Sequence, residues 1–291
     1  MTDDPFVTHR NLLFTVAYEM LGSAADAEDV LQESWLRWAE VDQATVREPR
    51  AYLVRIVTRQ ALNQIRTQAR RREEYVGEWL PEPLLTSPDV ADDVELADNL
   101  SIAMLTVLET LGPTERAVFV LREVFDLSYD EIADAVGKAP AAVRQVAHRA
   151  KSHVAARRPR VEVARSEHEE VVGRLLAALR SGDVQGLMDV MAPDIVSVAD
   201  GGGKVHGAAR RPIVGSERLA RYLVGGFSKA PGVVVMSIVQ VNGQSGVRIE
   251  TDGHLVGIVS FEVEHGLVTR IYSIANPDKL GSVDEETSLA H

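Results

Sequence analysis

The stretch Ser128-Tyr129-Asp130-Glu131-Ile132-Ala133-Asp134-Ala135-Val136-Gly137-Lys138-Ala139-Pro140-Ala141-Ala142-Val143-Arg144-Gln145-Val146-Ala147-His148-Arg149-Ala150-Lys151 decides how this part of the chain folds. Ser128 and Glu131 have capping-box spacing: the hydroxyl can accept from the N–H three residues on, and the carboxylate can reach back. Gly137 supplies a left-handed stop. Pro140 suits the first turn of a new helix, where a missing N–H is no loss. A short helix, a glycine turn and a basic helix make a helix-turn-helix. Val143, Ala147, Ala150 and Val154 share the face that packs on the helix of Ile132. Arg144, Gln145, His148 and Arg149 lie opposite. Arginine can bridge a guanine edge and glutamine an adenine edge in the major groove. Lys151, Arg157 and Arg158 fit phosphate contacts, which position without specifying.

Charge outside this motif points the same way. Residues 138–160 hold seven basic groups and no acid, in a chain of net charge -12. Residues 50–72 repeat the pattern with Arg50, Arg55, Arg59, Arg66, Arg70, Arg71 and Arg72, again without an acid. Purely basic helices in an acidic chain are placed to meet something negative, a phosphate backbone above all. In the second segment, Gln60, Asn63 and Gln64 add flat amides that can contact exposed bases, while the arginines neutralise phosphates.

Residues 6–73 read as helical, with Leu12, Leu13, Val16, Ala17 and Met20 on one stripe and Ala27, Val30, Leu31, Trp35 and Trp38 on the next. These are core positions, and Asp29, Gln32, Glu33 and Leu36 face outward. Pro49 suits the start of the basic helix, whose Tyr52, Leu53, Ile56, Val57, Leu62 and Ile65 turn inward. Residues 74–100 change character, with eight acids, no lysine or arginine, and Pro81, Pro83 and Pro88. This is a linker. Its Trp79-Leu80-Pro81-Glu82-Pro83-Leu84 is stiff and extended, and Trp79, Leu80 and Leu84 want burial. Ser87-Pro88 opens a helix reaching Leu111-Gly112, and Pro113 opens the next, through Val124.

Beyond residue 161 the pattern becomes α+β. Helices are expected over 166–180, 185–191 and 216–229. Strands are expected over 195–199, 233–241, 246–250, 254–263 and 267–275. Asn242-Gly243 and His265-Gly266 are hairpin signals. A curved antiparallel sheet wrapped round helices is the expected closure. Asp200, Lys204, His206, His254 and Arg270 are candidates to line a pocket there. The absence of cysteine excludes disulfides and thiolate metal sites. No cofactor or metal is expected, since His148 and His153 have no partner cluster. No apolar run approaches the ~18 residues of a membrane span, and the start Met1-Thr2-Asp3-Asp4-Pro5 lacks the basic opening of a signal peptide. A cytoplasmic protein is expected.

Asp26-Ala27-Glu28-Asp29-Val30-Leu31-Gln32-Glu33 followed by Trp35 resembles the core-binding helix in region two of bacterial sigma factors. Pro49-Arg50-Ala51-Tyr52-Leu53 and the basic helix after it resemble the promoter-melting part. Leu111-Gly112-Pro113 through Arg122 and the helix-turn-helix resemble region four. Trp79-Leu80-Pro81-Glu82-Pro83-Leu84, Asp200-Gly201-Gly202-Gly203-Lys204 and Asn276-Pro277-Asp278-Lys279-Leu280 are similar to three signature segments of SigJ-like extracytoplasmic-function sigma factors. These carry a fused SnoaL-like cone. Lys138-Ala139-Pro140 departs from the serine or threonine cap frequent in the family.

The resemblance implies a multi-domain fold: a region-two helical domain (1–73), a linker (74–100), a region-four domain (101–160) and an α+β SnoaL-like cone (161–291). It implies docking of Asp29, Gln32, Glu33 and Leu36 on core RNA polymerase, through its β′ and β subunits. Arg55, Arg59, Asn63, Gln64 and Arg66 would hold one promoter element, with bases captured near Asn63, Gln64 and the loop before Pro49. Arg144, Gln145, His148, Arg149 and Lys151 would hold the other. The three signature segments would form an interdomain contact that regulates transcription initiation. A non-enzymatic role is expected, with a small-molecule ligand in the cone as an additional partner. The alternatives are a DNA-binding regulator that never engages polymerase and a SnoaL-type enzyme with a helical appendage.

Overall fold

The structure is a computed structural model describing residues 4–73, 75–87, 90, 94–157, 163–283 and 286–290, without the side chains of 68–73 and 94. The expected helix start at Pro88, the side chains of Arg70, Arg71 and Arg72, and Arg158 and Arg160 therefore lie outside the described residues. The chain divides into two compact units, one of residues 1–74, 104–158 and 288–291, the other of 75–103 and 159–287.

The first unit is helical. It contains α1 (Pro5–Thr8), α2 (Arg10–Leu21), α3 (Ala24–Ala39) and α4 (Pro49–Glu73). Gly22 ends α2 in the left-handed region at φ 67°, and Ser23 caps α3 by accepting from the Asp26 N–H. Val30, Leu31, Ser34 and Trp38 form the buried stripe of α3. The Trp38 indole donates to Asp4 Oδ1 at 3.0 Å. Trp35, expected in the core, is instead 40% exposed. It lies at the edge of the stripe, where Phe6 covers it edge-on at 5.2 Å. On α4, Leu53, Val57, Ala61 and Leu62 are buried, while Tyr52, Ile56 and Ile65 reach only half burial.

The expected single helix up to Gly112 is interrupted. Val94–Leu100 (α5) and Ile102–Leu108 (α6) are separate, and at the break the Ser101 hydroxyl donates to the Asp98 carbonyl. Such a local bond competes with continued helix. α7 (Pro113–Phe119) widens into a π turn, Val120–Val124, where the sequence reads as one regular helix. Then come α8 (Tyr129–Val136) and α9 (Pro140–Ala155). The capping box of Ser128 and Glu131 is formed, and Gly137 ends α8 at φ 68°.

A buried polar cluster lies inside this unit. Arg116 donates from Nε to the Glu19 carbonyl at 2.9 Å and from Nη1 to Glu109 at 2.7 Å. Burial pushes the Arg116 guanidinium down to about 9. The Glu19 carboxyl oxygens have no hydrogen-bond partner among the described residues. Burial pushes this carboxyl well above the usual range, against the lowering effect of Arg116.

The second unit is built on an eight-stranded sheet of order β3-β2-β7-β6-β5-β4-β1-β8. The strands are β1 (Leu85–Thr86), β2 (Met191–Asp200), β3 (Ile213–Val214), β4 (Val234–Val241), β5 (Gln244–Thr251), β6 (His254–Glu264), β7 (Leu267–Ile274) and β8 (Glu286–Thr287). One face packs on α10 (Arg165–Ser181), α11 (Val184–Val190) and α12 (Ser216–Ser228), bringing Val172, Leu187 and Leu219 against Met236, Phe261 and Ile271. The opposite face buries Val241, Ile258, Tyr272 and Ile274 against Leu80, Ile102, Leu280 and Val283. Ile271 and Tyr272 show why both faces are dry: successive strand residues point opposite ways.

An α+β domain with its sheet packed on helices is formed as expected, but the sheet is not purely antiparallel. The sheet is mixed: β2 runs parallel to β7, and β1 parallel to β8. β2 reaches β7 only after α12 and three hairpin-linked strands, a connection long enough for parallel pairing. The hairpins at Asn242-Gly243 and His265-Gly266 are present, with φ 52° and 77°, then 52° and 73°.

Candidate polymerase, promoter and linker sites

On α3, Asp29, Gln32 and Glu33 are exposed and Leu36 is 64% exposed. One helix face thus presents two acids, an amide and an apolar side chain to solvent. Glu33 is not free to swing, because its Oε2 accepts from Gln60 Nε2 at 2.6 Å.

On α4, Asn63 and Arg66 are exposed, and Arg55 stands over the Tyr52 ring at 4.8 Å. Gln60 is buried and bonded to Glu33, which removes it from the expected base-facing amides. Gln64 donates to Asp26 Oδ1 at 3.0 Å. Arg59 donates to the Asp134 carbonyl at 2.7 Å and to the Ala135 carbonyl at 3.4 Å, so α8 occupies it. The loop before Pro49 borders an open cavity of about 370 Å³ lined by Val46, Arg47, Tyr52 and Arg55, with Glu131 and Asp134 of α8 on its rim.

The helix-turn-helix exposes Arg144, Gln145, His148, Arg149 and Lys151 over a buried face of Val143, Val146, Ala147, Ala150 and Val154. Ala139 caps α9 without a side-chain bond, and Pro140 is in its first turn. Hydrogen bonds from Ser128 hold the Glu131 carboxyl below its ordinary range. Arg149 lies 3.7 Å from Glu115, and Lys151 lies 2.6 Å from Glu123. His153 meets the Thr110 hydroxyl at 2.8 Å. Among the described residues, no group of histidines and acids has metal-site spacing.

The linker seats on the cone within the second unit. Asp200, 0% exposed, gathers four donors: the Tyr75 hydroxyl, the Leu80 N–H at 2.9 Å, the Gly202 N–H at 3.1 Å and Lys279 Nζ at 2.7 Å. Lys279 also donates to the Leu80 carbonyl and lies 3.2 Å from the centroid of the Trp79 ring. Burial pushes the Tyr75 hydroxyl far up, and its bond to Asp200 adds to this. Asn276 donates to the Tyr75 hydroxyl at 2.8 Å. A Cβ on Gly202 would stand 2.6 Å from the Asn276 side chain, which requires glycine there, and one on Gly203 would meet Val76 at 3.0 Å. Lys204 pairs with Asp278 at the surface. Leu80 and Leu84 are 1% exposed, Pro81 and Pro83 are buried, and Glu82 is half-buried. Pro277 opens a 3₁₀ turn through Lys279, and Leu280 packs with Leu80.

The expected cone pocket is not formed by the residues named for it. Asp200 is spent on the linker. Arg270 stands four positions away along the β2–β7 ladder, about 13 Å at ~3.3 Å per residue. It faces Glu262 at 3.7 Å, a carboxyl raised by burial and bonded to the Tyr272 hydroxyl. His206 is exposed on a turn, and His254 is exposed at the start of β6.

Comparison with known proteins decides the family. Residues 6–71 match Sigma-70 region 2, and residues 101–154 match Sigma-70, region 4. The chain is 37% identical to the ECF RNA polymerase sigma factor SigJ of Mycobacterium tuberculosis (strain ATCC 25618 / H37Rv) over 287 residues, 94% of this chain and 91% of that relative. It is 30% identical to the probable ECF RNA polymerase sigma factor SigI of Mycobacterium tuberculosis (strain CDC 1551 / Oshkosh), covering 96% of this chain and 94% of the relative. The chain belongs to the ECF RNA polymerase sigma factors. The crystal structure of SigJ from Mycobacterium tuberculosis superposes on it with TM-score 0.76 and 34% identity, over 96% of this chain and 98% of that one. This sigma factor therefore binds core RNA polymerase and promoter DNA and directs transcription initiation. It is a specificity subunit and not an enzyme. No helix among its described residues is long and apolar enough to cross a membrane.

The linker seat includes residues that pattern reading of this sigma factor misses. Asn242, 0% exposed, accepts from the Leu84 N–H through Oδ1 and donates to the Leu100 carbonyl through Nδ2, both at 2.9 Å. The Gly243 N–H donates to the Thr86 hydroxyl at 2.9 Å. Asn242-Gly243 signals a hairpin, but nothing local in the sequence shows that this turn holds the linker. Tyr75 lies four residues before Trp79, outside the apolar stretch Trp79-Leu80-Pro81-Glu82-Pro83-Leu84.

Proposed function

We propose that the cone regulates this sigma factor by holding the linker between regions two and four. The observation that carries this is the convergence of Tyr75, Leu80 and Lys279 on the buried carboxylate of Asp200. A buried carboxylate without its lysine would be costly, so seating is all-or-none rather than gradual. Polymerase docking falls to Asp29, Gln32, Glu33 and Leu36. Arg55, Arg59, Asn63, Gln64 and Arg66 serve the downstream promoter element, and Arg144, Gln145, His148, Arg149 and Lys151 the upstream one. In the first unit α8 engages Arg59 and walls the cavity beside the loop before Pro49. Release of the linker permits regions two and four to separate and frees these groups for DNA. The site of action is the cytoplasm, where polymerase and chromosome lie. The regulating input is the linker rather than a small molecule, because Asp200, Lys204 and Arg270 each face a different partner and His206 and His254 are exposed.

The test is run-off transcription with core polymerase by the full-length protein, by protein ending near Arg160, by protein ending near Ala275, and by Trp79→Ala. Ending near Ala275 removes Asn276 and Lys279 from the seat and raises activity. Ending near Arg160 strips the cover from Leu80, Ile102 and Ala103, which pack on the sheet, and lowers activity. Indistinguishable activity across all four rules out control by the cone.

A further inference from the structure

Arg144 is held differently from its neighbours on the readout face. Arg149 has Glu115 and Lys151 has Glu123 as acidic partners. Among the described residues Arg144 has neither ion pair nor hydrogen bond, and its guanidinium lies 5.4 Å from the centroid of the Tyr129 ring. Arg122 lies 5.1 Å from the centroid of the same ring. One aromatic ring thus serves two guanidinium groups.

The surroundings fix the ring and one cation, and leave the other free to act. Tyr129 is the first residue of α8, set by the Ser128–Glu131 capping box. Arg122 is locked: Nη1 donates to the Leu127 carbonyl at 2.9 Å and lies 2.9 Å from Asp126. The backbone is irregular on both sides of these contacts. Arg122 lies within the π turn Val120–Val124, and Asp126 takes φ 48°, a left-handed conformation unusual outside glycine. Local departures of this kind gather at functional sites. Asp126 offsets the Arg122 charge, so the ring's negative face can also attract Arg144. A guanidinium attracted to a ring keeps its N–H fork for a planar acceptor pair such as the O6 and N7 of guanine.

We infer that Tyr129 is a positioning residue for promoter reading, its ring orienting Arg144 toward one base pair of the upstream element. This rests on the reading that Arg144 contacts a base. Restricting a long side chain before binding reduces the ordering cost of the specific complex. On non-cognate sequences, where the fork has no planar acceptor, the ring gives no advantage. Its signature is therefore base preference and not overall affinity.

The experiment uses the full-length protein with core polymerase on a double-stranded promoter library randomised across the upstream element, with run-off products sequenced. The parent is compared with Arg144→Ala, Tyr129→Leu, Tyr129→Phe and the Tyr129→Leu/Arg144→Ala pair. Arg144→Ala abolishes preference at one base pair. Tyr129→Leu reduces preference at that same base pair about two- to fivefold, the range of an exposed cation–π contact. Tyr129→Phe retains it, and the double variant matches Arg144→Ala. If Arg144→Ala leaves every preference intact, the base-contact reading fails and the positioning role falls with it. If Arg144→Ala removes a preference that Tyr129→Leu keeps, the base contact stands and the positioning role is overturned. The role is also overturned if Tyr129→Leu and Tyr129→Phe lose preference equally, or if Tyr129→Leu depresses all sequences alike with a lowered unfolding temperature.

Discussion

Lys279 Nζ lies 2.7 Å from Asp200 Oδ2, with the side chains of both residues nearly inaccessible to solvent. The Trp79 ring stands 3.2 Å from the lysine nitrogen. Two of the cone's segments and the linker thus share one buried charge pair, and this sets the first prediction. Removing one partner strands a charge, so Lys279→Met is expected to cost about 3–5 kcal/mol. Asp200→Asn combined with Lys279→Met is expected to cost less than Lys279→Met alone. Hydrogen exchange of the amides of residues 75–84, with denaturant unfolding of the full chain, reads both effects. Additive costs would mean that the two residues act independently.

The Asn242 turn is the second fixed point of the linker. Asn242→Ala removes two buried hydrogen bonds, leaving a linker N–H and carbonyl unpaired at about 1–3 kcal/mol each. Asn242→Gly loses the same bonds but suits the observed φ of 52°, so the difference between the two variants combines the relief of backbone strain with the larger unfolded-state entropy of glycine. Gly243→Ala would set a Cβ 2.6 Å from Ala97 Cα, and limited proteolysis should show cleavage appearing within residues 75–103.

Stability of the helical unit should depend on pH through Glu19. Its carboxyl is raised by burial, so the folded form binds a proton more tightly than the unfolded one. The native unit is then favoured at acidic pH and loses stability as pH rises from the ordinary carboxylate range through the raised value. Glu19→Gln stays neutral and removes that decline. Its unfolding temperature is expected to exceed the parent's at about pH 8 and to match it at about pH 4.5. A variant less stable at both would show that Glu19 is ionised and paired with Arg116.

Polymerase docking is testable on the exposed face of α3. Asp29→Lys with Glu33→Lys reverses two charges and is expected to abolish holoenzyme assembly in a pull-down with core polymerase, with helical content unchanged. Glu33 also accepts from Gln60, so Gln60→Leu is the control for a purely structural effect. Unchanged core affinity in the charge-reversed protein would place the docking face elsewhere.

Much of this was legible in the residues because the deciding signals are local. The capping box of Ser128 and Glu131, the stop at Gly137 and the start at Pro140 act within a few residues of themselves. The burial of Leu80 and Leu84 follows from an apolar run inside an acidic linker. What stayed hidden depends on partners far along the chain. β1 has only two residues, Leu85 and Thr86, and exists because β4 and β8 accept it. The buried contact of Glu19 on α2 with Arg116 joins residues 97 positions apart, which no local pattern announces. Asp200 reads as a pocket acid because nothing near it announces Tyr75 or Lys279.

The central claim is that the seat of the linker on the cone restrains initiation. The direct measurement is promoter-specific run-off transcription with core polymerase, comparing the intact protein with Lys279→Met at equal concentration. Lys279→Met removes the buried cation but no group assigned to polymerase or DNA. With helical content and core affinity verified, the account predicts faster initiation by Lys279→Met. Equal rates, or a slower rate with core binding intact, would contradict it.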